Sequence, residues 1–310
     1  MAKMRVLVTG GSGFIGTHIV EELQTRGHKV KVFDRRVPKA EGVEWLDGDL
    51  RWGGDCDRAV RDTDAILHLA ARISVDESLD YIWHYFNDNL MSTVNLFMAA
   101  AKHKVNHVLF TSSCEVYGET PKSGATEDAP CDPTSPYAAS KYAAERAALT
   151  FKRVHPELRL AVLRPFNTFG EWQKPYRAGA VIPTFILEAL KNQSLRIHGD
   201  GEQTRDFVYV KDIAKAHVDV LEKDREGIFN IASGRARSIN SVAESIVELV
   251  GKGRIEHVPD SRKGAQLLYS VGDATRIAEA TGWKPKYEFA PTLKKVVRWY
   301  ESNSPLVPMR

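Results

Sequence analysis

Cysteine is scarce: Cys56, Cys114 and Cys131 are the three among 310 residues, odd in number and without C-x-x-C spacing. Neither a disulfide framework nor a zinc or other metal site follows from them. No run of about 18 consecutive apolar residues occurs, so no membrane-spanning helix is expected. Neither sign of charge dominates, since 43 Lys and Arg face 40 Asp and Glu and leave +3. That balance suits anionic small molecules and is too weak to argue for nucleic acid. Internal repeats and low-complexity tracts are lacking. No signal peptide is read ahead of Met4-Arg5-Val6-Leu7-Val8, so a reducing, cytoplasmic compartment is expected. What is present is 43% apolar, 27% charged and 9% aromatic residues, which excludes a disordered or collagen-like chain. At about 100–200 residues per domain, the length fits one large domain or two interlocked smaller ones.

The first half alternates short β-branched runs with longer helical patterns. Residues 4–9, 29–34, 43–46, 65–69, 105–111 and 159–164 read as strands. Residues 14–26, 79–102 and 135–153 read as helices, the first ending at Gly27. Such alternation predicts βαβ units and a parallel sheet with right-handed crossovers. After Pro165 the pattern changes. Residues 167–180 carry no period and are expected to be a loop, and shorter elements follow. The expected division is 1–166 for a dinucleotide-binding part and 167–310 for a smaller part. The chain is expected to return to the first sheet, so the two parts interlock.

Residues 9–16 read Thr9-Gly10-Gly11-Ser12-Gly13-Phe14-Ile15-Gly16, a G-x-x-G-x-x-G turn between a strand and a helix. The first glycine permits the tight turn, the second a close approach to a pyrophosphate, and the third close helix–strand packing. The helix N-terminus offers unpaired N–H groups and partial positive charge to the diphosphate. Asp34 ends the second strand, 18 residues after Gly16. A carboxylate there accepts ribose hydroxyls and favours NAD over NADP. Arg35 and Arg36 complicate that reading, because an arginine there can hold a 2′-phosphate. Asp34 would repel that phosphate, so NAD is favoured. Asp49, followed by Leu50, can reach the adenine or be an ordinary turn aspartate.

Tyr137 and Lys141 are four apart in a predicted helix, so they share a face. At about 4 Å and an effective dielectric near 20, an ammonium favours a phenolate by about 4 kcal/mol, or roughly three pK units. That brings a phenol toward neutrality, where it can serve as a base on a sugar hydroxyl. Ser113, at the end of a strand, can bond the same substrate oxygen or simply cap the strand.

In order along the chain stand Thr9–Gly16, His68-Leu69-Ala70-Ala71, Ser113 with Tyr117-Gly118, Tyr137 with Lys141, and Arg164-Pro165-Phe166-Asn167. The stretch Gly199-Asp200-Gly201 to Tyr209-Val210 follows, and later Gly282-Trp283-Lys284-Pro285. Together these resemble the extended short-chain dehydrogenase/reductases, specifically the NAD-dependent nucleotide-sugar epimerases and dehydratases, over nearly the whole chain. The resemblance implies an α/β Rossmann fold, a doubly wound parallel sheet, with a smaller interlocked α/β part for the nucleotide sugar. It implies tightly held NAD, contacted by Gly10, Gly13, Phe14, Ile15, Gly16, Asp34, Arg35, Asp49 and Leu50. Leu69, Ala70, Ala71, Asn89 and Pro165 join them, with Tyr137 and Lys141 at the nicotinamide ribose. Asn167, Arg205 and Arg262 would take the diphosphate of the sugar nucleotide. Trp172, Tyr176 and Arg177 stand where they can line the pocket. Relatives commonly form homodimers through the helices matching 79–102 and 135–153.

The family divides after oxidation at the sugar C4. Here Ser113-Cys114-Glu115 is the useful discriminator. It resembles most the Thr-Cys-Glu of the tunicamycin-pathway UDP-N-acetylglucosamine 5,6-dehydratase. On that reading Glu115 removes the C5 proton and the Cys114 thiol, near pKa 8.5, donates to the C6 oxygen. A dehydratase of a UDP-sugar is therefore the favoured expectation. UDP-hexose 4-epimerisation is the alternative, because Cys114 can equally be a small buried apolar residue. Decarboxylation and non-catalytic dinucleotide binding follow behind.

Overall fold

The computed structural model describes residues 3–175, 180–259 and 267–303. Its strands are β1 (Arg5–Thr9), β2 (Lys29–Phe33), β3 (Glu44–Leu46), β4 (Ala65–His68), β5 (His107–Thr111) and β6 (Arg159–Pro165). They continue with β7 (Asn167–Phe169), β8 (Ser194–His198), β9 (Thr204–Tyr209), β10 (Gly227–Ile231), β11 (Ala236–Ser238), β12 (Arg254–Val258) and β13 (Tyr269–Ser270). Seven of them form one sheet in the order β10-β6-β5-β4-β1-β2-β3. Every pairing in it is parallel. The order reverses between β1 and β4, which opens a crevice at their carboxyl ends.

Strand β1 shows why the sheet forms. Val6 and Val8 pack on one face with Ile19 and Leu23 of the helix Phe14–Thr25 and with Ile213 and Val220 of the helix Val210–Glu222. Leu7, between them, packs on the other face with Phe97 and Ala144. Both faces are covered, so the strand reads as an apolar run without alternation. Gly27 adopts φ +82° and its N–H bonds to the Gln24 carbonyl, closing the first helix.

A smaller sheet pairs β9 with β7, β11 and β13, and β8 pairs with β12. A second core holds it, with Phe185, Phe207, Val242 and Val296 among its members. Strand β10 leaves this region and joins the large sheet beside β6. Trp283 is fully buried and donates its indole N–H to the Asp212 carbonyl at 3.1 Å. The Asp212 carboxylate accepts the N–H groups of Lys286 and Tyr287. The Gly-Trp-Lys-Pro motif thus seats the turn before the last helix, Phe289–Asn303.

Several expectations need correction. Residues 79–102 are not one helix. Helices Val75–Asp80 and Ile82–Phe86 are followed by a π-turn, Asn87–Met91, and then by a helix Ser92–Lys102. Tyr81, with φ −125° and ψ 46°, breaks the path. Apolar spacing does not reveal a local widening of the helix, because it carries no record of which carbonyl each N–H bonds to. Residues 167–180 are not wholly loop, since Asn167–Phe169 pairs with β9. The helix Gly53–Val60 was not expected, its two leading glycines being poor helix formers.

Candidate active site

The crevice is a cavity of ≈ 1040 Å³, running from the glycine turn to β8 and the helix Val181–Leu190. That is the upper end of the range for one ligand and leaves room for a dinucleotide beside a second molecule. At its floor Gly13 caps the helix Phe14–Thr25 without any side-chain bond, which leaves the first-turn N–H groups open to the cavity. Gly10 has φ +72°, and a Cβ there would lie 2.7 Å from Ala70 N. A Cβ at Gly16 would lie 2.2 Å from the Gly10 carbonyl oxygen. This bare cradle fits a dinucleotide diphosphate.

Asp34 stands beside it, accepting from the Ser12 N–H and the Arg36 N–H at 3.1 Å each. Its carboxylate is 10% exposed and faces the same cavity as Leu50, Leu69, Ala71 and Pro165. Arg35 also lines this cavity, its guanidinium largely exposed and 3.8 Å from Asp49. Asp49 also lines the cavity, but Arg51 grips its carboxylate at 2.6 Å.

Asn89 lies in the π-turn and is 2% exposed. Its amide donates to Ser140 Oγ at 2.9 Å and to the Arg72 carbonyl, and it accepts the Arg72 N–H at 2.7 Å. These bonds tie the chain after Ala71 to the helix Pro136–Val154. Asn89 therefore supports the cavity wall from behind. His68 bridges Thr9 and Thr93 at 2.7 and 3.0 Å. Burial, with Lys141 adding to it, pulls its pKa down to about 3, so the ring is neutral.

Tyr137 and Lys141 face the cavity from one side of the helix, as their spacing predicts. Burial pushes the Tyr137 phenol well above its ordinary value, and a hydrogen bond with Ser113 opposes that. This differs from the expected pull by Lys141. The Lys141 ammonium instead donates to the Thr111 carbonyl at 2.6 Å and lies 4.6 Å from the Phe110 ring centroid. Burial pulls Lys141 itself down to about 7, against the charge of Glu145.

Ser113 caps a 3₁₀ turn, Cys114–Tyr117, by accepting the Glu115 N–H at 3.2 Å. That turn presents Ser113, Cys114 and Glu115 to the cavity together with Tyr137. Cys114 is 4% exposed, belongs to the core beneath the sheet, and its sulfur accepts from Ser270 Oγ at 3.9 Å. Burial pushes its thiol far above the 8.5 assumed from sequence. Glu115 is half-buried.

In the far half, Asn167 and Arg205 line the cavity. Arg205 donates to the carbonyls of Thr204 and Leu267 at 2.8 and 2.9 Å. Asn167 Nδ2 is buried with no hydrogen-bond partner, a donor that wants an acceptor from outside the protein. Trp172 also lines the cavity, whereas Tyr176, Arg177 and Arg262 lie outside the described residues. Lys39, Glu188, Arg196 and His198 line it too and carry no sequence motif that would have singled them out.

Comparison with known proteins decides the lineage. The model of the NAD dependent epimerase/dehydratase family matches residues 6–232. The chain belongs to this family. A Methanocaldococcus jannaschii protein, provisionally named a UDP-glucose 4-epimerase, is 36% identical over 96% of this chain and 99% of its own. The Thermus thermophilus UDP-glucose 4-epimerase, solved with NAD, is 34% identical with a TM-score of 0.90, over 96% of this chain and 99% of its own. DesIV, a dTDP-glucose 4,6-dehydratase of Streptomyces venezuelae solved with NAD, is 30% identical with a TM-score of 0.92. That match covers 98% of this chain and 99% of the other. The similar epimerase/dehydratase proteins thus include both reactions of the family's name.

Proposed function

We infer that this chain is an NAD-dependent nucleotide-sugar dehydratase, acting on a UDP-linked sugar through a transient 4-ketone. When bound, NAD supplies the acceptor for the hydride at sugar C4 and later returns it. Residues 1–166 hold the cofactor, with the glycine turn at the diphosphate and Asp34 at the adenosine ribose. Residues 167–310 mainly hold the nucleotide sugar, with Asn167, Arg205 and Arg262 toward its diphosphate. Tyr137 takes the proton of the 4-hydroxyl as its phenolate, a form that burial opposes in the cofactor-free chain. Ser113 bonds the same oxygen, and Lys141 steadies the nicotinamide ribose.

The observation that carries dehydration is the position of Glu115. It lines the cavity in the turn that begins at Ser113, with Tyr137 facing that serine. A 4-ketone acidifies the C5 proton, and Glu115 accepts it. The C6 hydroxyl departs with a proton as water. Burial keeps the Cys114 thiol protonated in the neutral range, so it can donate that proton, though weakly.

A second reading, 4-epimerisation, has its own support. Cys114 is packed into the core and bonded by Ser270, as a structural residue would be. Incubation with UDP-, dTDP- and GDP-sugars, followed by mass spectrometry, separates the two. Loss of one water is the expected result. An unchanged mass with a new isomer would replace dehydration by epimerisation, and loss of carbon dioxide would point to decarboxylation.

The same reading includes a homodimer. Ile82, Trp83, Met91 and Met98 are apolar yet 46–69% exposed along the broken helix at 75–102. A matching surface on a second copy would cover them. A sedimentation mass of one chain would sink that part. Among the described residues no helix is long and apolar enough to cross a membrane.

A further inference from the structure

Lys39 and Trp172 come from different loops and meet over the cavity, the ammonium 3.8 Å from the indole ring centroid. One loop is fastened to the glycine turn and the other to the helix that follows it. On one side Ser12 Oγ donates to the Arg36 carbonyl at 2.6 Å. On the other, His18 Nε2 lies 3.1 Å from the Glu171 carbonyl. The Lys39–Trp172 contact therefore bridges two loops beside the first turns of that helix, on the cavity that the glycine turn also lines.

Trp172 is held there under strain. Its φ is +67°, a region that bulky residues rarely enter. Such a conformation persists only where the surroundings impose it. Here the last helix does so. Trp299 meets the Trp172 ring edge-on at 4.9 Å, and Tyr300 OH donates to the Gln173 carbonyl. Glu171 accepts from Tyr209 OH at 2.8 Å and pairs with Lys295 at 3.3 Å. Arg36 and Lys174 line the cavity with Lys39 and repel its charge, so an anion among them would be welcome.

We propose that Lys39 and Trp172 form a clasp across the dinucleotide cavity beside the glycine turn and slow the cofactor's escape. The clasp rests on the NAD reading above and adds two cofactor-retaining residues to it. A cofactor regenerated within each turnover has no need to leave, so a closed bar across the cavity costs the reaction nothing.

The test measures NAD release directly. The full chain is loaded with radiolabelled NAD, chased with excess unlabelled NAD, and filtered at intervals. Trp172→Gly removes the ring and suits the positive φ, so the backbone strain is relieved, and a thermal melt of the variant checks the loss of the Trp299 contact. Release about ten-fold faster is expected for it, and about three-fold faster for Lys39→Met. Lys39→Arg keeps a cation over the ring and should retain slow release. Unchanged release in both Trp172→Gly and Lys39→Met would overturn the clasp while leaving the cofactor reading intact. Fast release from Lys39→Arg would overturn the cation–ring contact as its cause. Failure of the unaltered chain to bind NAD would overturn the cofactor reading and the clasp with it.

Discussion

Glu145 and Arg164 form an ion pair whose side chains are 0% and 3% exposed, immediately behind the cavity wall. Arg164 Nε donates to Glu145 Oε2 at 3.1 Å, and Ser112 Oγ donates to the same oxygen at 2.7 Å. Arg164 also donates to Tyr117 OH at 2.8 Å. One carboxylate thus ties the end of β6 to the residue before Ser113, one helical turn beyond Lys141.

Removing one partner should strand the other charge in a dry site. Glu145→Ala is expected to destabilise the chain by about 3–5 kcal/mol in urea unfolding. The pair Glu145→Leu with Arg164→Met should recover most of that loss. Equal damage from the double variant would show that the hydrogen bonds to Ser112 and Tyr117, rather than the charges, carry the stability.

Tyr137→Phe deletes one hydroxyl and leaves the ring packing. Product formation should fall by at least about a hundred-fold, the usual scale for a lost acid–base group. Bound NAD should stay near the level of the unaltered chain. Retained turnover would remove Tyr137 from the proton-transfer role.

Glu115→Ala separates the two reactions of the family's name. On the proposed function the ketone step uses Tyr137 and Ser113, so transient reduction of bound NAD should survive, seen as near-ultraviolet absorbance. Loss of water from the sugar should stop. Dehydration at an undiminished rate would dismiss Glu115 as the base at C5.

Gly16→Ala should abolish NAD binding, because the new Cβ would lie 2.2 Å from the Gly10 carbonyl oxygen. The neighbour is backbone and cannot swing aside, so the turn itself must shift. Calorimetric titration with NAD checks this. A normal affinity would mean that the cradle yields at little cost.

Lys141 makes a prediction about pH. Burial lowers its folded pKa from 10.5 to about 7. Between those values the unfolded chain binds more protons than the folded one, so Lys141 makes stability rise with pH there. Below about pH 7 both states hold the proton and the full burial penalty applies. Lys141→Met should therefore stabilise the NAD-free chain most below pH 7. The advantage should shrink as pH rises toward 10.5. Urea midpoints of the two proteins across that range test the sign.

Much of the fold was legible because burial on both faces writes itself into β1 as an unbroken apolar run, and the glycine turn into a fixed spacing. Tyr137 and Lys141 were legible for the same reason: four residues on a helix share a face whatever lies opposite. The π-turn at Asn87–Met91 was not legible, since it is a change of backbone hydrogen-bond register that no residue type marks. Nor was β7, three residues long and held by its pairing with β9 rather than by its own composition.

The sequence by itself determined a parallel sheet, a bare glycine turn between strand and helix, an acidic residue at the end of the second strand and a Tyr–Lys pair on one helix. These are local properties of spacing and residue type. Only the tertiary structure decided that Lys141 turns to Thr111, that Cys114 is packed away from solvent, and that Lys39 meets Trp172. Each depends on which distant segments share a boundary, and on the desolvation that follows, which no local pattern encodes.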